Sequence, residues 1–278
     1  INVVNAFQQA DIEVIASDIR ESPHITTEFK PADLLDYDQV AGVVKGSDMV
    51  VHLAASPLPV SIEKPRLNAR INIEGSLNVM DAAREYGVQK VIFSSASSLI
   101  GEVKYNPVDE KHPATPKTPY GVAKYAVEHY LRVYQELYGL NYLIFRFYNL
   151  YGPWQYPESG ALIPMIYKKL KGEGSFNVFG DGKQARDFIY VGDVAEFYVK
   201  AVGSDVKNEV VNLGTGRGTT IKEVVDISGK ILGIEPKINY LPQRPGEIDN
   251  FVADTSKLRS LFSTVPDTSL DIGLGKTF

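Results

Sequence analysis

The stretch TPYGVAKYA at residues 118–126 sets Tyr120 four positions before Lys124. Four residues make about one helical turn, so the phenol and the ammonium share a face. A phenol can exchange a proton with a reacting hydroxyl, and a cation one turn away favours its ionised form. Taken alone, the pair reads as a half-buried aromatic beside a solvated helix charge. Its neighbours add weight: a serine-rich run, FSSASS, at 93–98, an acid, Asp18, closing IEVIASD at 12–18, and arginines in the Gly- and Pro-rich loops FGDGKQARDF and LPQRPGEID. Such loops are where binding residues concentrate.

The chain has 278 residues, 44% hydrophobic and 23% charged, with a formal net charge of -5, as expected of a globular protein of one large domain or two unequal ones. Lys and Arg are scattered, which argues against nucleic acid or an anionic membrane as partner. With no cysteine, and His24, His52, His112 and His129 outside H-E-x-x-H spacing, no metal site is expected. No run of 18 apolar residues occurs and the start lacks a basic n-region, so neither a membrane span nor a signal peptide is expected, and the cytoplasm is the default.

The elements that must position the pair alternate. IEVIASD (12–18), DMVVHLAAS (48–56) and KVIFSSAS (90–97) read as strands of a parallel sheet buried on both faces, and NYLIFRFYNLYG as another. Residues 71–87 predict a helix with Ile73, Leu77, Met80 and Ala83 near one face and a stop at Gly87. Residues 118–139 predict the longest helix, with a stripe of Ala123, Val127, Tyr130, Leu131 and Tyr134, ended by Gly139. This alternation gives an α/β fold with a doubly wound parallel sheet. The looser region from 150 onward suits a smaller, loop-built substrate region. INVVNAFQQA reads as a helix already under way, so the first strand and the Gly-rich turn of a dinucleotide-binding unit are absent from this sequence. With Ile1 placed directly after that turn, Asp18 falls where a carboxylate accepts both ribose hydroxyls and repels a 2′-phosphate, which favours NAD over NADP. Asp18 also reads as a loop acid, and Arg20 could soften the preference.

FSSASSLIG, PYGVAK, RFYNLYGP, GDGKQARDFIYVGDVA and RPGEIDNFVADTSK occur in this order, and with them the chain resembles the extended short-chain dehydrogenase/reductase family. Within it the nucleotide-sugar epimerases and dehydratases are most similar, the UDP-glucose 4-epimerase branch above all. The resemblance implies a Rossmann-type NAD-binding domain (1–151 and 183–216) with a smaller substrate-binding domain (152–182 and 217–278). It makes Tyr120 the base and Lys124 its activator, the lysine and the nicotinamide charge together pulling the phenol pKa down. Asn72 matches an asparagine that supports the active-site strand and lysine, and reads otherwise as a helix-start residue. Where the epimerases carry a Ser or Thr on the strand, this chain has Ala96, leaving Ser95 and Ser97 as flanking candidates. Loss of that hydrogen bond costs about 1–3 kcal/mol in the transition state. Ser97 and Ser98 stand where dehydratases carry an acid pair, so elimination lacks its general acid.

By the same resemblance Asp18, Asp33, Leu34, Leu53, Ala54, Ala55, Ser94, Phe147 and Tyr148 border NAD. Asn149, Leu162, Arg186, Phe188, Arg244 and Glu247 contact the nucleotide sugar, and Phe251 gates against an N-acetyl group. The implied activity is C4 epimerisation of a UDP-hexose through a 4-keto sugar, in a homodimer built from helices 71–87 and 118–139. A 4-keto-sugar reductase and a non-catalytic NAD or nucleotide-sugar binder are the alternatives.

Overall fold

Uninterrupted apolar runs need cover on both faces, and in the computed structural model, which describes residues 1–156, 159–172, 174–243 and 248–278, they become adjacent strands. In chain order the first elements are α1 (Asn2–Gln9), β1 (Ile15–Asp18), β2 (Glu28–Pro31), α2 (Tyr37–Val44), β3 (Met49–His52), α3 (Leu58–Glu63) and α4 (Pro65–Ala69). Then come α5 (Gly75–Glu85), β4 (Lys90–Ala96), α6 (Pro119–Tyr138), β5 (Asn141–Phe147), β6 (Asn149–Tyr151), α7 (Leu162–Lys171), β7 (Phe176–Phe179), β8 (Ala185–Arg186) and β9 (Phe188–Tyr190). The remainder are α8 (Val191–Val202), β10 (Glu209–Leu213), β11 (Thr219–Thr220), α9 (Ile221–Leu232), β12 (Ile238–Leu241), β13 (Asn250–Phe251), α10 (Ser256–Phe262) and α11 (Leu270–Thr277).

The chain divides into two compact units, residues 1–101, 114–147 and 195–211, and residues 102–113, 148–194 and 212–278. In the first, the sheet order is β10-β5-β4-β3, with β3, β4 and β5 parallel, and β1 and β2 form a separate parallel pair. The expected α/β architecture with parallel strands is therefore present. Val91, Phe93 and Ile144 of the sheet pack with Val79, Met80 and Ala83 of α5 and Val127 and Leu131 of α6. The predicted stripe of α6 holds for Ala123, Val127 and Leu131, which are buried, whereas Tyr130 is exposed. Thr118 caps α6 by accepting from the Gly121 N–H, and Gly139, at φ 73, ends it in the left-handed conformation.

The segment predicted as one helix over 71–87 is two: a π turn at Arg70–Glu74, then α5. The widened turn is a local irregularity that hydrophobic spacing does not encode. It carries Asn72.

In the second unit, β6 pairs with β9 and β7 with β12, both parallel, and β8 lies between β11 and β13. Tyr151, Ile163, Ile166, Val224, Val225 and Leu274 form its core. The fully buried Asp187 staples three segments, accepting from Thr215 N and Oγ1, Gly216 N and Ala253 N. Among the described residues no helix is long and apolar enough to cross a membrane.

After β4 the first unit closes on itself at Gly101. A Cβ there would sit 1.8 Å from the Thr115 carbonyl oxygen, its φ is +70°, and Thr115 N and Oγ1 both donate to the Ile100 carbonyl. Gly101→Ala should therefore lower the unfolding free energy by at least about 2 kcal/mol, measured by urea denaturation.

Candidate functional site

Lys124 is buried, and its position follows from α6 lying along β4. Its Nζ donates to the Ser94 carbonyl at 2.7 Å, lies 4.7 Å from the centre of the Phe93 ring and 5.7 Å from that of Tyr120. Helix α6 approaches the end of β4 closely because residue 121 is glycine: a Cβ there would sit 2.8 Å from the Ser98 carbonyl oxygen. Tyr120 thus stands in the first turn of α6, against the turn at Ser97–Leu99 that follows β4.

The electrostatics depart from the expected activation. Burial pushes the Tyr120 phenol up to about 12, and burial brings the Lys124 ammonium down to about 7, with the Glu128 charge opposing it. Here desolvation outweighs the lysine's attraction, since the ammonium points at a carbonyl and not at the phenol oxygen.

The serines after Phe93 separate by the strand's alternation. Ser94 shares a hydrogen bond with the buried Tyr198 hydroxyl, whereas Ser95 donates to Glu128 at 2.6 Å. Ala96 is extended, at φ -145 and ψ 144, and half-buried. Ser97, buried, opens the turn. The Ser95 hydroxyl is committed to a carboxylate, which leaves Ser97 as the serine at the strand end.

Around the π turn, Asn72 clamps the backbone of Ser56, accepting from its N–H at 2.7 Å and donating to its carbonyl at 3.0 Å. Its side chain thus braces the segment after β3, while the resemblance implied the β4 strand and the lysine. The Ser76 hydroxyl donates to the Asn72 carbonyl at 2.7 Å, so His52, 2.8 Å away, donates to Ser76 from Nε2. Burial first, and the Lys124 charge second, bring His52 down to about 3.

At the carboxyl ends of the strands, Asp18 closes β1 and accepts from Arg20 N, and Leu53, Ala54 and Ala55 are exposed after β3. Asp33, two residues beyond β2, is exposed, and Leu34 packs against Gly75. Phe147 ends β5 with its ring centre 6.2 Å from that of Tyr198.

The second unit holds the other candidates. Tyr148 is buried, with its ring centre 5.1 Å from that of Phe251, which is half-buried. Asn149 spends its amide on the Asp187 carbonyl at 3.0 Å. Arg186 Nη1 donates to the carbonyls of Ala185 and Ile248. Phe188 lies in the core of this unit and Leu162 packs against it. Arg244 and Glu247 lie outside the described residues. Sequence reasoning passed over Glu128, Arg146, Asp187 and Tyr198. Glu128 carried a readable signal, four residues past Lys124.

The chain's relatives agree in kind. The model of the NAD dependent epimerase/dehydratase family matches residues 2–214. A putative UDP-glucose 4-epimerase of Methanocaldococcus jannaschii is 40% identical over 239 residues, covering 84% of this chain and 77% of that protein. The crystal structure of a UDP-glucose 4-epimerase with UDP-glucose from Thermotoga maritima superposes with a TM-score of 0.91 at 32% identity, over 99% of this chain and 92% of that one. A UDP-N-acetylglucosamine 4-epimerase from Methanobrevibacter ruminantium in complex with UDP-N-acetylmuramic acid gives 0.90 at 32%, with the same coverage.

His52 also makes stability depend on pH. Below about pH 6.5 the unfolded chain protonates this imidazole, while the folded chain resists until about 3, so acid favours unfolding in that window. Between pH 6.5 and 5 the wild-type protein should lose up to about 1.4 kcal/mol per pH unit more than His52→Gln, read by urea denaturation.

Proposed function

Because the chain belongs to the NAD-dependent epimerase/dehydratase family, we propose that it is a nucleotide-sugar epimerase inverting C4 of a UDP-hexose through a transient 4-keto sugar. The observation that carries this reading is Tyr120 in the first turn of α6, one turn before a Lys124 anchored at the end of β4, beside a serine turn free of carboxylates.

NAD is the cofactor, and this chain's residues fit it. Small, exposed residues after β3 admit close approach of a dinucleotide, and Asp18 offers a carboxylate at the end of β1. Asp33, Leu34, Leu53, Ala54, Ala55, Phe147 and Tyr148 would border it. Asn72 acts through the Ser56 backbone it clamps. When bound, NAD would supply the hydride acceptor and donor for C4 together with a positive ring charge.

Tyr120 takes the proton of the C4 hydroxyl as the carbon is oxidised and returns it after the keto sugar has turned its other face. With the phenol held near 12, Tyr120 is protonated at neutral pH, so it can take a proton only once the reacting complex brings that value down. Lys124 orients the ribose hydroxyls and stabilises the phenolate. Ser97 is the hydroxyl that steadies the reacting oxygen, since Ser95 is engaged with Glu128. Asn149 meets the phosphates, Arg186 and Arg244 clamp the nucleotide and diphosphate, Glu247 takes the ribose, Phe188 lines the base or ribose pocket, and Leu162 adds to the substrate site. Phe251, stacked near Tyr148, favours a plain hexose over an N-acetylhexosamine. In this reading the first unit corresponds to the expected NAD-binding domain (1–151 and 183–216) and the second to the substrate-binding domain (152–182 and 217–278). The place of work is the cytoplasm.

Conversion is checked by incubating the protein and NAD with UDP-glucose, UDP-galactose and their N-acetyl forms, resolving products by chromatography. UDP-glucose and UDP-galactose should interconvert without net change at the reduced-nicotinamide band, and Tyr120→Phe should lose more than about 100-fold in kcat while still binding UDP-sugar. Binding with no conversion would favour a binder, and a net absorbance change a reductase.

The exposed face of α6 supports a homodimer. Val122, Tyr130, Val133 and Leu137, the last 66% exposed, form an apolar stripe that suits a homodimer through α5 and α6. Leu137→Asp together with Val133→Asp should convert a dimer to monomers in analytical ultracentrifugation. A wild-type monomer at micromolar concentration would end this reading.

A further inference from the structure

One turn beyond Lys124, α6 carries Glu128, which is 0% exposed. Its carboxylate accepts from Ser95 Oγ at 2.6 Å, Arg146 Nε at 2.9 Å and Arg146 Nη2 at 2.7 Å, and Arg132 Nη2 lies 3.9 Å away. Ser95 and Arg146 are direct partners in the β4–β5 register. Ser95 also follows Ser94, whose carbonyl holds the Lys124 ammonium. One fork of charge-assisted hydrogen bonds therefore ties α6, β4 and β5 at the level of the proposed base and its lysine.

Packing alone does not account for this. A buried ion pair loses so much hydration that apolar replacements of similar volume are often neutral or stabilising. Its position does account for it, because a buried ammonium with a carbonyl as its hydrogen-bond acceptor needs a negative charge within a turn or so to stay ionised. We propose that Glu128 is a positioning residue of the epimerase reaction, keeping Lys124 charged and aimed at the Ser94 carbonyl, with Ser95 and Arg146 fixing the carboxylate. The proposal rests on the functional reading above.

Burial takes Lys124 toward the neutral amine, and Glu128 is the group that pulls it back. Among the described residues, Tyr120 of its own helix and His52 of β3 also face the lysine, and Arg146 of β5 pairs with Glu128. The charged residues of α3, α4 and the π turn, Glu63, Lys64, Arg66, Arg70 and Glu74, are exposed. Ser95, a candidate catalytic hydroxyl by sequence, becomes part of the support.

Two readouts separate this role from a merely structural tie. Lysine 13Cε–15Nζ NMR on the whole protein, with Lys124 assigned from Lys124→Arg, gives the ionisation midpoint of the amine without any turnover. Initial rates with UDP-glucose give the pH profile of kcat. Glu128→Gln should lower the midpoint by about one pH unit and move the alkaline fall of kcat to lower pH by a similar step, whereas Glu128→Asp, which keeps the charge, should leave the midpoint near that of the wild type. If Glu128→Gln does not fold, Glu128→Gln with Arg146→Gln, which leaves no unpaired charge in the core, is compared with Arg146→Gln alone, and its midpoint should be the lower by about one pH unit. An unchanged midpoint in a folded variant overturns the proposal and makes the pair a tie between strands and helix. If the wild-type protein converts no UDP-sugar, the functional reading falls instead, and the NMR midpoint still decides whether Glu128 holds the lysine's charge.

Discussion

The buried ammonium of Lys124, held 2.7 Å from a strand carbonyl, is the constraint from which the first unit takes its form. To desolvate Lys124 the fold must bring α6 hard against β4, and it does so with a glycine at 121, an apolar stripe through Ala123, Val127 and Leu131, and a proline and threonine that fix where the helix starts. It must also keep the carbonyl of Ser94 still. The Tyr198 hydroxyl holds the Ser94 side chain, the in-register pairing of β4 with β5 holds its backbone, and the Glu128–Arg146 fork locks the next residue along.

The serine run shows how a pleat divides similar side chains among different tasks. Ser94 is tied to α8, Ser95 to α6, and Ser97 starts the turn, although all three are the same residue within four positions. Alternation sends neighbours to opposite faces, so composition says nothing about which hydroxyl is available. Ala96, the position that departs from the epimerase pattern, carries no hydroxyl, and in the proposed reading that office falls to Ser97 of the turn.

Much of the first unit could be read directly. Long apolar runs gave β3, β4 and β5, Thr118 and Gly139 bracketed α6 to the residue, and the spacing of Tyr120 and Lys124 placed them one turn apart. What escaped reading depends on contacts distant in sequence. The π turn at Arg70–Glu74 follows no hydrophobic period, and the amide of Asn72 finds Ser56 only once α3 and α4 are folded. Direction of a pKa shift was likewise illegible: the lysine's pull on the phenol was foreseen from spacing, while the larger cost of burial needed the walls of the site. In the second unit, Asp187 draws its donors from segments up to 66 residues away, which no local motif reveals.

The bond between Ser94 and Tyr198 spans 104 positions, and the three carbonyls capped by Lys90 lie between 111 and 116 positions downstream. During synthesis the strand that holds the lysine therefore leaves the ribosome well before its clasp, by roughly 5–20 s at about 5–20 residues per second. Until then the contact from α8 that holds the Ser94 side chain cannot form. Until β10 has been made, β5 has no partner on its outer side, so the order of synthesis leaves that edge open until the last of these segments arrives.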